Sequence, residues 1–245
     1  MLVLVLGLIV VGAVAQRVAG IGFALLVSPF LVILLGPHAG VLLINVCGVV
    51  SSALIAPRVW RDIDWSVFRW FTVASLAGSI PGAILAGLLP SSTLSITVGA
   101  VVLVALVLSL ALSRADVVVS GNGPRAVAGA LSGLTNSMAG VGGPAVSAYA
   151  ILARWEQRPF AATLQPFFVV IGIVAIATKL IADPSQMPAV EPWAWALIVV
   201  AIVAGIFGGE VLQRHVRDRH ARLFVICVAF LGAIAALAKG LLEAF

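Results

Sequence analysis

The sequence predicts an all-α, polytopic integral membrane protein made of two inverted four-segment repeats, each a re-entrant or broken helical hairpin plus three transmembrane helices. Three observations predict it. First, 62% of the 245 residues are hydrophobic and 9% are charged, with mean hydropathy +1.23, whereas a soluble domain carries roughly 25% charged residues. Second, apolar runs of about 20 residues, the length that crosses a bilayer as a helix, recur along the whole chain. Third, a short pattern repeats. Ala19-Gly20-Ile21-Gly22 returns as Ala139-Gly140-Val141-Gly142, 120 residues on, and at the same offset Gln16 meets Asn136 and Asn45 meets Gln165. Ala77-Gly78 with Gly82 returns as Ala204-Gly205 with Gly209 at an offset of 127. The slip between the two offsets falls in a loop, where insertions are tolerated.

Breaks fall at charged, Pro-rich or Gly-rich points: residues 36–38, 57–64, 89–92, 113–125, 154–159, 183–192 and 213–222. They delimit roughly eight segments within one membrane domain: repeat 1 over 1–113, a linker over 114–124, and repeat 2 over 125–245. Residues 1–15 end in Ala13-Val14-Ala15, which mimics a signal-peptidase site, but they lack the basic start of a signal peptide. That segment is expected to stay in the fold.

The opening segment of each half is unusual. Residues 1–35 are interrupted by Gln16, Arg17 and the Gly20/Gly22 pair, and residues 125–153 by Thr135, Asn136, Ser137 and the stretch 140–144. Each is too long for one helix across a hydrocarbon core of about 30 Å, and each arm alone is short for a crossing. Glycine permits an abrupt reversal, so both segments read as re-entrant hairpins with polar tips. Charge supports this. The basic breaks hold Arg58/Arg61, Arg114/Arg125, Arg154/Arg158 and the arginines of 214–222, while the breaks near His38, at 89–92 and at 183–191 hold no Lys or Arg. Cytoplasmic loops carry the Arg and Lys excess. The two sets sort onto opposite sides only if the first segment of each half returns to its own side. Three crossings per half then invert the second half, with the N-terminus outside and the linker in the cytoplasm of a cell-membrane protein.

Interrupted helices near the midplane of an inverted repeat are a transporter design. A helix that starts inside the membrane offers unpaired N–H groups and the positive end of its dipole, which attract anions. Such starts are expected at Gly20, Ile21 and Gly22 and at Gly140, Gly142 and Gly143, with Pro144 suited to a first turn. Arg17 precedes the first tip and has two readings: a cation for an anionic substrate, or an intramembrane charge paired with Glu210, with carbonyls, or snorkelling. Asn136 and Ser137 either donate to a substrate or cap the backbone. Asn45 and Gln165 either line the site or bond between helices. Lys179, near one helix end, reads as an interfacial anchor and Glu210 as structural, with proton coupling the alternative for this pair. The Gly78/Gly82 and Gly205/Gly209 spacings allow close helix packing and could favour a homodimer. Trp60, Trp65, Trp70, Trp193 and Trp195 flank helix ends as interfacial anchors do.

Other classes fit poorly. The net charge of +5 comes from arginines between apolar segments rather than from a basic, aromatic-interleaved face, so nucleic acid is not an expected partner. Cys47, Cys227, His38, His215 and His220 have no metal-ligand spacing, and no cofactor is expected. Nothing resembles a nucleotide-binding loop. The acidic residues are scattered, which argues against a membrane enzyme.

Two four-segment halves, each opening on a glycine-bearing break (Ala19-Gly20-Ile21-Gly22 and Ala139-Gly140-Val141-Gly142-Gly143-Pro144), resemble the sulfite exporter TauE/SafE family, also called the toluenesulfonate uptake permease family. The resemblance covers essentially the whole chain. It departs from the family pattern at Phe23 and at Asn45 and Gln165, where small hydroxyl residues are usual. It implies secondary transport, usually outward, of a small inorganic sulfur anion such as sulfite or of an organosulfonate, driven by the membrane potential or a proton. An anion channel through the same tips and a non-transporting membrane subunit remain alternatives.

Overall fold

The computed structural model describes residues 1–19, 23–112, 117–188, 190–213, 215 and 218–244, without the side chains of residues 19 and 218–222. Gly20, Ile21 and Gly22, the expected first tip, lie outside the described residues. The described residues form ten α-helices and no strand. In the first half these are α1 (Leu2–Ala19), α2 (Phe23–Leu35), α3 (Pro37–Ile55), α4 (Trp65–Leu88) and α5 (Ser91–Leu112). In the second they are α6 (Asn122–Ala139), α7 (Gly143–Leu152), α8 (Gln157–Ala182), α9 (Pro192–Gln213) and α10 (Asp218–Ala244). Six helical spans, three per half, are long and apolar enough to cross a membrane: Pro37–Asp62, Trp65–Leu88, Ser91–Leu112, Gln157–Ala182, Pro192–Gln213 and Leu223–Ala244. The hairpin arms Leu2–Val18, Phe23–Leu35 and Gly143–Leu152 are apolar but shorter. This is a polytopic, multi-pass membrane protein.

Local chemistry sets the breaks. Gly36 takes φ 81°, a left-handed conformation that favours glycine, and Pro37 then opens α3 where no N–H partner is needed. A 3-10 turn over Ala56–Asp62 continues α3, and Asp64 caps α4 by accepting from the Ser66 and Val67 amides at 3.0 and 3.1 Å. The second hairpin differs from expectation in one respect. Thr135, Asn136 and Ser137 do not interrupt it but form the last turns of α6. The reversal is confined to Gly140–Gly142, because Gly140 at φ 71° ends the helix with its N–H on the Asn136 carbonyl. The helix also begins at Asn122, inside the expected linker.

Lipid tails are as apolar as leucine, so the helices associate through close packing and polar contacts rather than through expulsion of water. The packed cores show how the halves interlock. One cluster joins α1, α2, α3 and α9 through Ile9, Leu26, Leu43 and Ile202; a second joins α6, α7, α8 and α4 through Ala128, Val146, Phe167 and Phe71. The second set is the first with the halves exchanged. The main helix pairs follow the same exchange: α1–α9 matches α6–α4, α1–α2 matches α6–α7, and α3–α8 and α5–α10 match themselves. Several contacts break it, among them the minor α3–α5, α3–α6 and α6–α8 packings, and the largest break is at the hairpin arms. The arm α2 packs on α3 and α5, while the equivalent packing of α7 on α8 and α10 is lacking among the substantial helix contacts.

Glycine makes the α4–α6 and α1–α9 contacts possible. A Cβ on Gly82 would lie 2.7 Å from the Leu134 carbonyl oxygen, and one on Gly129 would lie 2.6 Å from that of Phe71. On the other side, a Cβ on Gly205 would lie 2.7 Å from the Val10 carbonyl oxygen. Both GxxxG pairs are therefore occupied within the chain, and neither is left to face a second copy. Trp60, Trp65, Trp70 and Trp193 are exposed near helix ends, as expected of interfacial anchors.

Gly82→Leu should wedge α4 from α6 and destabilise the detergent-solubilised protein by about 1–3 kcal/mol or more. Gly87→Leu, in the same helix with nothing within 4 Å of its Cβ position, should leave it unchanged. Thermal unfolding of the two variants checks the contrast.

Candidate functional site

Between the two hairpins lies a cavity of about 60 Å³. Its wall includes Phe23 at the start of α2, Asn45 and Ser52 of α3, Asn136 of α6, the Gly140–Gly143 tip and Gln16 of α1. A water needs roughly 10–15 Å³ on this measure, so the chamber holds a few waters or one small ion of a few heavy atoms. The structure thus brings Asn45, Asn136, Gly140, Gly142 and Gly143 together, as the sequence predicts. All of its described lining side chains are uncharged.

The tip is held by hydroxyls from neighbouring helices. Ser132 Oγ donates to the Gly142 carbonyl at 2.6 Å, and Ser28 Oγ of α2 donates to the Ala139 carbonyl at 2.7 Å. With those carbonyls engaged, the start of α7 is left with its N–H groups. Gly142 accepts no side-chain cap and Pro144 occupies the first turn. A Cβ on Gly142 would come within 2.9 Å of Ser132 Oγ and 2.8 Å of Ile171 Cδ1, so a larger residue there would displace the hydroxyl that holds the tip.

The buried amides are oriented by their partners. Asn136 Nδ2 donates to Asn45 Oδ1 at 2.7 Å, a bond between the halves, and Asn45 Nδ2 donates to the Val41 carbonyl at 2.9 Å. Both sequence readings therefore hold at once for Asn45: it lines the cavity and bonds between helices. Ser51 Oγ donates to Gln16 Oε1 at 2.7 Å, so the group Gln16 has left to offer is its amide NH₂. Ser52 Oγ, on the same wall, is buried without a partner. A chamber with an uncapped helix start, a spare amide and a spare hydroxyl is rich in hydrogen-bond donors, which suits an anion.

Gln16 and Ser52 were missed as site residues. Gln16 had a signal, its register with Asn136. Ser52 had a weaker one, its position seven residues after Asn45 and so on the same helix face. Other expected residues lie elsewhere. Ser137 is buried against α4, its Cβ 3.2 Å from the Cβ position of Gly82. Gln165 donates to the Ala161 carbonyl at 3.0 Å and lines a second, larger cavity.

That second cavity is a vestibule of about 700 Å³ sharing Gln16 and Leu25 with the chamber. It runs between α7, through Pro144, Ser147 and Ile151, and the facing residues of α8 and α10, among them Ala161 and Ile226. This is where the α7–α8 and α7–α10 contacts are lacking. Its mouth carries Asp62 and Arg158, whose Oδ2 and Nε are 3.0 Å apart. Arg17 is on its wall, not in the chamber, with Nε 3.3 Å from Glu210 Oε1; Arg58 Nη1 reaches the same oxygen at 2.8 Å. One carboxylate thus faces two guanidiniums, and the vestibule side keeps a net positive charge. Lys179 is not at a lipid interface: it is 3% exposed, inside the protein at the far end of α8, and its Nζ has no hydrogen-bond partner.

Replacing Asn45 and Asn136 by alanine, singly and together, should give a coupling energy of about 0.6 kcal/mol, and no more than about 1.7 kcal/mol, the range for hydrogen bonds between membrane helices. A double-mutant cycle by unfolding in mixed micelles measures it.

The sequence model of the Sulfite exporter TauE/SafE family matches residues 4–236 of the chain. No curated protein matches it, and no solved structure does.

Proposed function

We propose a function from two premises: the chain belongs to the sulfite exporter TauE/SafE family, a family of membrane transporters, and its donor-rich chamber adjoins a large vestibule through the shared Gln16 and Leu25. The protein is a secondary transporter of a small sulfur-containing anion, sulfite or a compact organosulfonate, working outward across the cell membrane. The anion sits in the chamber, held by the start of α7, the Gln16 amide, the Ser52 hydroxyl and the Asn45–Asn136 pair. Arg17 and Arg58 raise the local anion concentration in the vestibule rather than touch the bound ion.

One observation carries the mechanism: the packing that follows the exchange of halves fails most around α7, and the vestibule fills that failure. In an inverted repeat, access alternates when each half adopts the other's arrangement. Packing α7 onto α8 and α10 closes the vestibule. Freeing α2 from α3 and α5 opens its counterpart on the other side. The mouth carries Arg158, and the 3-10 turn that borders it through Val59 and Asp62 carries Arg58 and Arg61, so by the positive-inside rule it faces the cytoplasm. The structure is then the inward-open state. The membrane potential favours anion exit, since moving one negative charge outward gains about 2.3 kcal/mol per 100 mV.

Proteoliposomes should take up labelled sulfite saturably, with trans-stimulation by unlabelled sulfite inside. Ser52→Ala, which removes one hydrogen bond to a charged ligand, should raise KM roughly tenfold. Arg17→Ala should slow uptake mainly at low ionic strength, because an exposed field is screened by salt. Non-saturating flux without trans-stimulation would instead identify a channel.

A further inference from the structure

The end of the bundle opposite the vestibule holds a buried polar cluster around one lysine that the chamber does not use. Lys179 lies in the last turn of α8 and His38 in the first turn of α3, two helices that pack together. Lys179 Nζ and His38 Nδ1 are both buried and without a hydrogen-bond partner, as is Gln186 Oε1 in the 3-10 turn Pro184–Gln186 that packs over both helices. Lys179 and the Asp183 carboxylate are both within electrostatic range of the His38 ring. An ordinary partner for Lys179 would be Asp183, one turn on. That carboxylate is engaged instead by Ser185: its Oδ1 accepts from the Ser185 hydroxyl at 2.6 Å and the Ser185 amide at 2.9 Å. Those bonds hold its pKa below the usual carboxylate range. The start of α3 has no side-chain cap either.

A buried ammonium with no partner is costly, and position explains why it is kept. The spans Pro37–Asp62 and Gln157–Ala182 are each 26 residues long and start 120 residues apart. In that register Arg158 corresponds to His38, and Val59 to Lys179. Arg158 and Val59 both line the open vestibule. His38 and Lys179 therefore stand where the mouth of the counterpart vestibule would form.

We propose that Lys179, His38 and the uncapped start of α3 form a second binding site, for a small divalent oxyanion, at the outer mouth of the transport path. It is shut in this structure because the path is open on the opposite side. The site receives the anion leaving the chamber, and that anion would pair the buried ammonium. The inference rests on the alternating-access reading, so two measurements separate them.

The first is accessibility. Lys179→Cys in a Cys227→Ser background, reconstituted in liposomes, should be modified by a membrane-impermeant thiol reagent added outside. Failure to react from outside would overturn both the site and the exchange of halves. The second is binding, read as thermal unfolding of the full chain in detergent with millimolar sulfate against gluconate at matched ionic strength. Sulfate should raise the wild-type Tm by about 2–4 °C. Lys179→Met should abolish the rise and Lys179→Arg should keep it. Asn136→Leu, which alters the chamber, should leave the Lys179-dependent part in place. Without sulfate, Lys179→Met should unfold no lower than wild type, because it removes an uncompensated charge. Outside reactivity combined with equal sulfate shifts in wild type and Lys179→Met, or with no shift in wild type, would remove the site and leave the transport reading standing.

Discussion

A peptide N–H or C=O that meets hydrocarbon without a partner costs several kcal/mol, and a helix that stops within the membrane exposes a set of each. Most of the site chemistry in this chain answers that constraint. At the second tip the carbonyls are taken by Ser28 and Ser132 and by the left-handed Gly140 turn. The N–H groups at the start of α7 are left to the chamber. The proposed function rests on this imbalance: the tip satisfies its acceptors from within the protein and leaves its donors open to the chamber. At the other end of the first hairpin Lys239 of α10 donates to the Ile33 carbonyl at 2.9 Å, so the last turn of α2 is closed by a cation that also suits the helix dipole.

The rest of the architecture brings the two interrupted segments together. Neither half is a unit by itself, since α1 and α2 share a core with α9 and α6 and α7 share one with α4. This interlocking lets Asn136 of one half reach Asn45 of the other. It depends on backbone-to-backbone approach at Gly82, Gly129 and Gly205, where a methyl group would collide with a carbonyl. Large residues fill the cores, and the vestibule beside α7 mixes small residues such as Pro144, Ser147 and Ala161 with larger ones such as Ile151 and Trp155.

Much of this was legible in the sequence. Composition and run length gave the membrane class, and the repeated glycine break located both hairpins. Asn45 and Asn136 stood out because an amide in an apolar run must find a partner, and the partner turned out to be each other. What was hidden had physical causes. Ser52 is inconspicuous because a serine in a membrane helix usually bonds its own backbone, and only the fold shows that this one does not. Asn136 looked like part of a break because polar residues cluster there, yet helix propensity and the Gly140 cap carry α6 past it. Arg17 had two readings, and the carboxylate of Glu210, far off in sequence, shows why it need not enter the chamber. Lys179 looked interfacial by its place near a helix end; the 3-10 turn at Pro184–Gln186 folding over that end buries it.

Charge is arranged by depth. In the proposed function, cations at the mouth draw anions in, while the chamber offers neutral donors, which bind an anion without holding it as a buried ion pair would. On that proposal the chamber, not the arginines, is the place where the substrate rests. Anomalous diffraction from crystals soaked in selenite, the heavier analogue of sulfite, tests this most directly. The account predicts a selenium peak between the tips, within hydrogen-bond distance of Ser52 Oγ and the Gln16 amide. A peak confined to Arg17 and Arg58 in the vestibule, with the chamber empty, would contradict it.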